Sequence, residues 1–149
     1  MISAQQVKKL RDQTSLSVIE CKKALEQTKG DEKKALALLQ SQSQAKAQAK
    51  SERQASQGLV EAYIHNNGKV GVILQLFCET DFVAANQDFK NLAHDLAMHI
   101  AAVDTADTEE LLNQPFIKNQ DKTIQDIINE YIAKLGENIK IGKFIRLEI

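Results

Sequence analysis

Between positions 3 and 39 the apolar residues recur every three or four places, the spacing of one face of an α-helix. Val7 and Leu10 form a first stripe, Val18, Cys21 and Leu25 a second, and Ala35, Leu36 and Leu39 a third. A start signal stands before each stripe. Ser3 followed by Gln6, and Ser17 followed by Glu20, are capping boxes, in which each side chain satisfies a free backbone N–H at the helix start. Asp31, directly after Gly30, is a third N-cap, and Gly30 suits the left-handed position that ends a helix. The pattern predicts three short helices in a small bundle, too small to bury much surface alone. From Gln40 to Gln57 the pattern lapses, with no apolar side chain larger than Ala. A polar helix or semi-rigid tether is expected there, without a packed face. Its basic residues Lys46, Lys50 and Arg53 read as a solvated surface ahead of an RNA contact.

Beyond Gly58 the period changes. Leu59 to His65 is β-rich, Asn66-Asn67-Gly68 is a turn signal, and Val70 to Cys78 is almost wholly apolar, as in a central strand. Together they predict a hairpin. Helical spacing returns at Phe89, Leu92, Ala93, Leu96, Ala97 and Ile100. Residues 103–122 read as an acidic loop with a short helix near Glu109 to Leu112, stopped by Pro115. Ile124, Ile127, Ile128, Tyr131, Ile132 and Leu135 mark another helix, ended by Gly136. The tail alternates Ile141, Lys143, Ile145, Leu147 and Ile149 on one face, a final strand in which Gly142 permits a bulge or close approach. The expected fold is α+β: a helical module at 1–40, a linker at 41–57, and a core at 58–149 of about three antiparallel strands with packed helices.

Composition narrows the function classes. The 149 residues carry 19 basic and 20 acidic side chains, without the basic surplus that phosphate neutralisation demands of a nucleic-acid binder. No apolar run approaches the ~18 residues of a membrane span. The Met-Ile-Ser-Ala-Gln-Gln start resembles neither a signal nor a transit peptide, so the cytoplasm is the expected compartment. Cys21 and Cys78 lack CxxC spacing and read as small buried hydrophobes.

Catalytic chemistry finds little footing. His94 and His99 stand five apart on one helix, which turns them to different faces, and His65 lies in the hairpin. Glu79 and Asp81 are a possible acid pair without a third polar partner. Gly68-Lys69-Val70-Gly71 lacks the spacing and the Ser/Thr of a P-loop. No catalytic residue, metal or cofactor is expected. What remains is Thr80-Asp81-Phe82-Val83-Ala84, at a strand-to-helix junction. Locally, Thr and Asp there cap a helix, and Phe82 reads as a staple beneath it or as an exposed contact.

Two motifs resemble one family over essentially the whole chain. Leu10-Arg11-Asp12-Gln13-Thr14-Ser15-Leu16-Ser17-Val18-Ile19-Glu20-Cys21-Lys22-Lys23-Ala24-Leu25 is similar to the opening motif of the elongation factor Ts family, Leu-Arg-x-x-Thr-Gly-x-Gly-Met-Met-Asp-Cys-Lys-Lys-Ala-Leu. Cys78-Glu79-Thr80-Asp81-Phe82-Val83-Ala84 matches that family's core motif. The stretches His94–Ala102 and Lys134–Gly142 also resemble it. The resemblance implies a ubiquitin-associated-like helical module and a guanine-nucleotide exchange factor without covalent chemistry. Its partner would be elongation factor Tu, whose GDP release it promotes. Thr80, Asp81, Phe82 and Val83 would reach the GTPase, with Phe82 wedged near the magnesium and phosphate site. Arg11, Val18 and Ile19 would form a second contact. Direct binding of nucleotide, nucleic acid or membrane is not implied. Two departures stand out: Ser15 and Ser17 replace the glycine pair, and Val18 and Ile19 the two methionines. Long family members carry two core subdomains, whereas this chain has one; short members pair two chains, which implies a homodimer covering the terminal strand with Ile145, Leu147 and Ile149. A ubiquitin-associated-type adaptor, an RNA-binding protein and an enzyme using Glu79, Asp81 or a histidine are the rival readings.

Overall fold

The computed structural model describes residues 1–149. Helices α1 (Ala4–Thr14), α2 (Val18–Gln27) and α3 (Glu32–Lys50) come first. Both capping boxes form: Ser3 and Ser17 accept from the backbone of Gln6 and Glu20, whose side chains bond back. Asp31 caps α3 by accepting from Lys34 N–H. Val7, Leu10, Leu16, Cys21, Ala24, Leu25, Ala35 and Leu39 close a small apolar cluster between the helices. Val18, read as part of the buried stripe, instead faces solvent at the first position of α2.

The two serines that stand where the resembled motif has glycines have opposite consequences. Ser15 ends α1 in the left-handed region (φ 58°, ψ 13°), where a Cβ crowds the backbone at about 1–2 kcal/mol. Ser17 sits in extended backbone and its hydroxyl caps α2, a role glycine fills less well.

The expected polar helix forms, but with a packed face that its composition did not suggest. Residues Gln40–Lys50 simply continue α3, and Ser43 and Ala47 are buried. Small side chains make that face able to lie close against a neighbour. The neighbour is α7 (Ile124–Leu135).

Strands β1 (Gln57–Ile64), β2 (Val70–Cys78) and β5 (Lys140–Glu148) form an antiparallel sheet in the order β1-β2-β5. The predicted hairpin is β1–β2. Val72, Leu74, Leu76 and Cys78 point from β2 into the larger cluster, built with Phe89, Leu92, Leu96 and Ile100 of α5 (Gln87–Ala102) and Ile124, Ile128 and Ile132 of α7. The expected bulge occurs in β5 opposite Gln75, where a Cβ on Gly142 would collide with Phe77 and Gln75. Between β2 and α5 lies the one-turn helix α4 (Asp81–Ala84). The segment read as an acidic loop holds α6 (Thr108–Asn113) and then a small hairpin, β3 (Pro115–Phe116) with β4 (Asn119–Thr123). Asn-Gln-Asp-Lys-Thr carries no apolar alternation, so the strand left no trace in the pattern.

Lys122, at the end of that hairpin, is 4% exposed and joins the two clusters. Its Nζ donates to the Gln13 carbonyl of α1 and lies 2.7 Å from Glu130 Oε1 on α7. Burial pushes the Glu130 carboxyl up, and Lys122 pulls it partly back.

Two outcomes follow from this packing. Ser15→Gly raises stability by about 1 kcal/mol in urea denaturation, whereas Ser17→Gly lowers it by a few tenths. Lys122→Met strands the Glu130 carboxylate and destabilises the chain by roughly 3–5 kcal/mol at neutral pH. A carboxyl whose folded pKa lies above its unfolded one favours folding below the unfolded value and loses that contribution as pH rises through the folded value. The Lys122→Met deficit therefore shrinks on acidification; a deficit independent of pH refutes the assignment.

Candidate functional site

The end of β2 sets the position of the candidate motif. The last ladder pair is Gln57 with Cys78, after which Thr80 takes extended backbone and caps α4, its hydroxyl accepting from Val83 N–H at 3.3 Å. Asp81 occupies the first turn, where a carboxylate favours the positive end of the helix. Val83 and Ala84 rest against the larger cluster, and the chain then turns through Asn86, which caps α5 by accepting from Asp88 N–H. Phe82 does not pack beneath either helix. It is 84% exposed, projecting from a single turn whose other apolar residues face inward. The staple reading therefore fails on geometry.

A second patch lies on the helical module. Val18 and Ile19, in the first turn of α2, are 50% and 67% exposed. Arg11 near the end of α1 is exposed as well. Beside them runs a shallow groove of about 390 Å³, floored by Ile2, Val7 and Val18 and rimmed by Lys8, Arg11 and Lys22. Such a surface suits a helix that is apolar in the middle and acidic at its margin. Thr80, Asp81, Phe82 and Val83 thus converge on one patch, and Arg11, Val18 and Ile19 on another. The two belong to different apolar clusters.

The remaining titratable candidates are structural. His99 is fully buried; its Nδ1 accepts from Ile117 N–H at 3.3 Å, so Nε2 carries the proton and donates to Gln114 Oε1 at 2.9 Å. Burial pushes its pKa down and keeps it neutral. His94 stands edge-on to Tyr63, with Nδ1 3.5 Å from Glu61. Cys21 and Cys78 are free and lie in separate clusters; burial pushes both thiols up, Cys78 to about 11 with help from the Glu137 charge. Glu79 does not pair with Asp81: its carboxylate accepts from Asn138 N–H at 2.7 Å and lies 3.7 Å from Arg53. Glu137, just past α7, bonds directly to Thr80. No local pattern reveals that contact, because the two residues are 57 positions apart.

Known proteins share this arrangement of segments. A family model described as "Elongation factor TS" matches residues 79–149, which include the Thr80 junction, both core helices and β5. Elongation factor Ts of Desulforamulus reducens is 38% identical, the alignment covering 99% of this chain and 89% of the relative. That of Moorella thermoacetica is 39% identical, covering 100% and 96%. The chloroplastic elongation factor Ts of Porphyra purpurea is 41% identical, covering 97% and 87%. These alignments run over 191 to 194 positions, so the relatives carry internal positions without a counterpart among the 149 residues here. With identity at this level along nearly the full length of both chains, the chain belongs to the elongation factor Ts family of translation elongation factors.

Proposed function

We propose that this protein is a guanine-nucleotide exchange factor for elongation factor Tu, and that Phe82 is the group that loosens GDP. The observation that carries this reading is the exposure of Phe82 on a one-turn helix at a capped strand end, within a chain of this family. An aromatic side chain so placed loses contact with water at little entropic cost, which is the character of an interface hot spot. Inserted near the magnesium and phosphate site of the GTPase, it holds a nucleotide-poor arrangement of that site. Asp81 sits beside it, with Thr80 and Val83 at the base. Residues 1–40 act as a recognition module, in which Arg11, Val18 and Ile19 grip a second surface of the partner, and residues 58–149 act as the core.

Exchange needs no bond made or broken and no cofactor or metal of the factor's own. It needs the factor to bind the empty GTPase more tightly than the loaded one. By linkage, GDP then weakens the factor by the same coupling energy. Such a factor acts in the cytoplasm, where its partner works, without touching nucleic acid or membrane.

The working form is a homodimer. Helices cover only one face of the sheet. On the other face Val60 and Ile64 of β1, Ile73 of β2, and Ile145 and Leu147 of β5 are each more than half exposed. Ile73 pairs with both Ala62 and Ile145, and Gly71 with both Ile64 and Leu147, so two uncharged rows cross all three strands. A contiguous apolar face of this kind marks an interaction site. A second copy fits it, because an apolar sheet face is self-complementary under a two-fold axis and two such faces pack as a sandwich.

In GDP release from purified elongation factor Tu, the wild-type chain accelerates release and Phe82→Ala loses most of that effect. Because Phe82 is exposed, the same variant unfolds within about 0.5 kcal/mol of wild type in urea. No acceleration by wild type refutes the function; full activity in Phe82→Ala refutes only the wedge. Light scattering gives twice the chain mass for wild type and one chain for Ile73→Asp with Ile145→Asp. A wild-type monomer at high concentration overturns the dimer.

A further inference from the structure

We propose that Glu137 is a positioning residue for exchange: its carboxylate clamps the end of β2 and the Thr80 cap so that Phe82 is presented in one orientation. This inference rests on the exchange function proposed above. The need for a clamp comes from α4 itself. A single helical turn fixes several dihedral angles for very few hydrogen bonds and is unstable alone. Val83 and Ala84 are only half-buried against the larger cluster and Asp81 and Phe82 are exposed, so packing on one side of the turn does not by itself fix the tip. The tip must therefore be held from its base.

Glu137 supplies that hold. One carboxylate oxygen, Oε1, accepts from Glu79 N–H at 3.1 Å and from Thr80 N–H at 3.0 Å. These donors lie beyond the last β1–β2 ladder pair. The other oxygen, Oε2, accepts the Thr80 hydroxyl proton at 2.7 Å. A hydroxyl has one proton, and committing it to Glu137 leaves a lone pair for Val83 N–H, the bond that caps α4. Glu137 thus acts on Phe82 through the orientation of a single hydroxyl and two amides. Its hydrogen bonds go to Glu79 and Thr80, at the base of the turn that carries Phe82.

The clamp is itself braced. Gly136 closes α7 in the left-handed region (φ 76°), which turns Glu137 back toward β2. Glu79 reciprocates by accepting from Asn138 N–H at 2.7 Å, so two segments far apart in sequence exchange carboxylates. Asn138 is 2% exposed and donates to the Arg53 carbonyl at 2.8 Å, tying in the chain just after α3. The Cys78 thiol, kept protonated, donates to the Thr80 carbonyl at 3.1 Å.

The test measures GDP release from elongation factor Tu and, separately, motion of the tip in the free protein. Glu137→Ala reduces the acceleration by about ten- to a hundredfold, the scale expected when a reacting group is misplaced by an ångström. Glu137→Gln keeps an acceptor for both amides and donates to the second lone pair of the Thr80 hydroxyl, so it restores activity to within about threefold of wild type. In the Phe82→Ala background, Glu137→Ala has no further effect. In a Phe82→Trp chain, whose indole is the only one present, time-resolved anisotropy reports a restrained side chain that becomes mobile on adding Glu137→Ala. If Glu137→Ala fails to fold, Thr80→Val, which removes only the hydroxyl, is expected to free the indole in the same way. Full activity in Glu137→Ala, an equal loss with and without Phe82, or unchanged indole motion in the folded variant overturns the proposal. A wild-type chain that never accelerates release instead defeats the exchange function, and the anisotropy still decides whether Glu137 orders the tip.

Discussion

Strand β2 is the element on which the rest of the structure depends. It alone is hydrogen-bonded on both edges, to β1 and β5. Its inward residues Val72, Leu74, Leu76 and Cys78 are essentially inaccessible, and burial of such side chains contributes on the order of 1.5–3 kcal/mol each. Helix α5 packs across β1 and β2 from that side. The C-terminal end of β2 is consequently among the best-restrained points of the chain, and the Thr80 junction grows directly from it. On the proposed reading the tip enters another protein, and such a base leaves it little freedom to lose on binding.

The same strand explains why one face of the sheet is so apolar. A strand with one dry and one wet face alternates, whereas β2 places Ile73 and Gly71 on the face away from the helices. The near-continuous apolar run from Val70 to Cys78 reads as a strand buried on both sides. In the single chain only one side is covered. The residues match an environment that the chain does not supply alone, which is the physical ground for a second copy. Both uncovered edges, β1 and β5, carry the same feature outward through Val60, Ile64, Ile145 and Leu147.

Period and caps were legible where a segment answers to its own neighbours. The stripes of α5 and α7, both serine capping boxes and the β1–β2 hairpin needed no distant partner to be read, and the α+β fold followed from them. What escaped notice depends on contacts across the chain. The packed face of α3 from Gln40 to Lys50 is made of Ser43 and Ala47, whose value lies in being small. Lys122 and Glu130 look like surface charges until the fold buries them against each other. Val18 has the right spacing for the core, yet its place at the first position of α2 turns it outward. In the candidate site, Thr80 through Val83 stood out by resemblance. The exposure of Phe82 was beyond local reading, and Glu137 became relevant only through bonds to residues 57 and 58 positions away.

Helix α3 gives the two surface patches a fixed relation. Ala35 and Leu39 sit in the small cluster, Ala47 in the large one, and the Asn138 side chain holds the chain just past the helix end. Lys122 adds a second tie through the Gln13 carbonyl. Two contacts on one rigid body bind with little extra ordering for the second. They need not do the same task. A contact made equally with loaded and empty GTPase raises affinity without shifting the equilibrium between them. On the proposed reading the module patch at Arg11, Val18 and Ile19 is of this kind, since it lies on the helices of the small cluster and not on the one that carries the Phe82 turn. Phe82 alone distinguishes the two states. Affinity and exchange are then separable properties of one chain, the first set by a surface of ordinary apolar contacts, the second by how firmly a four-residue turn is held.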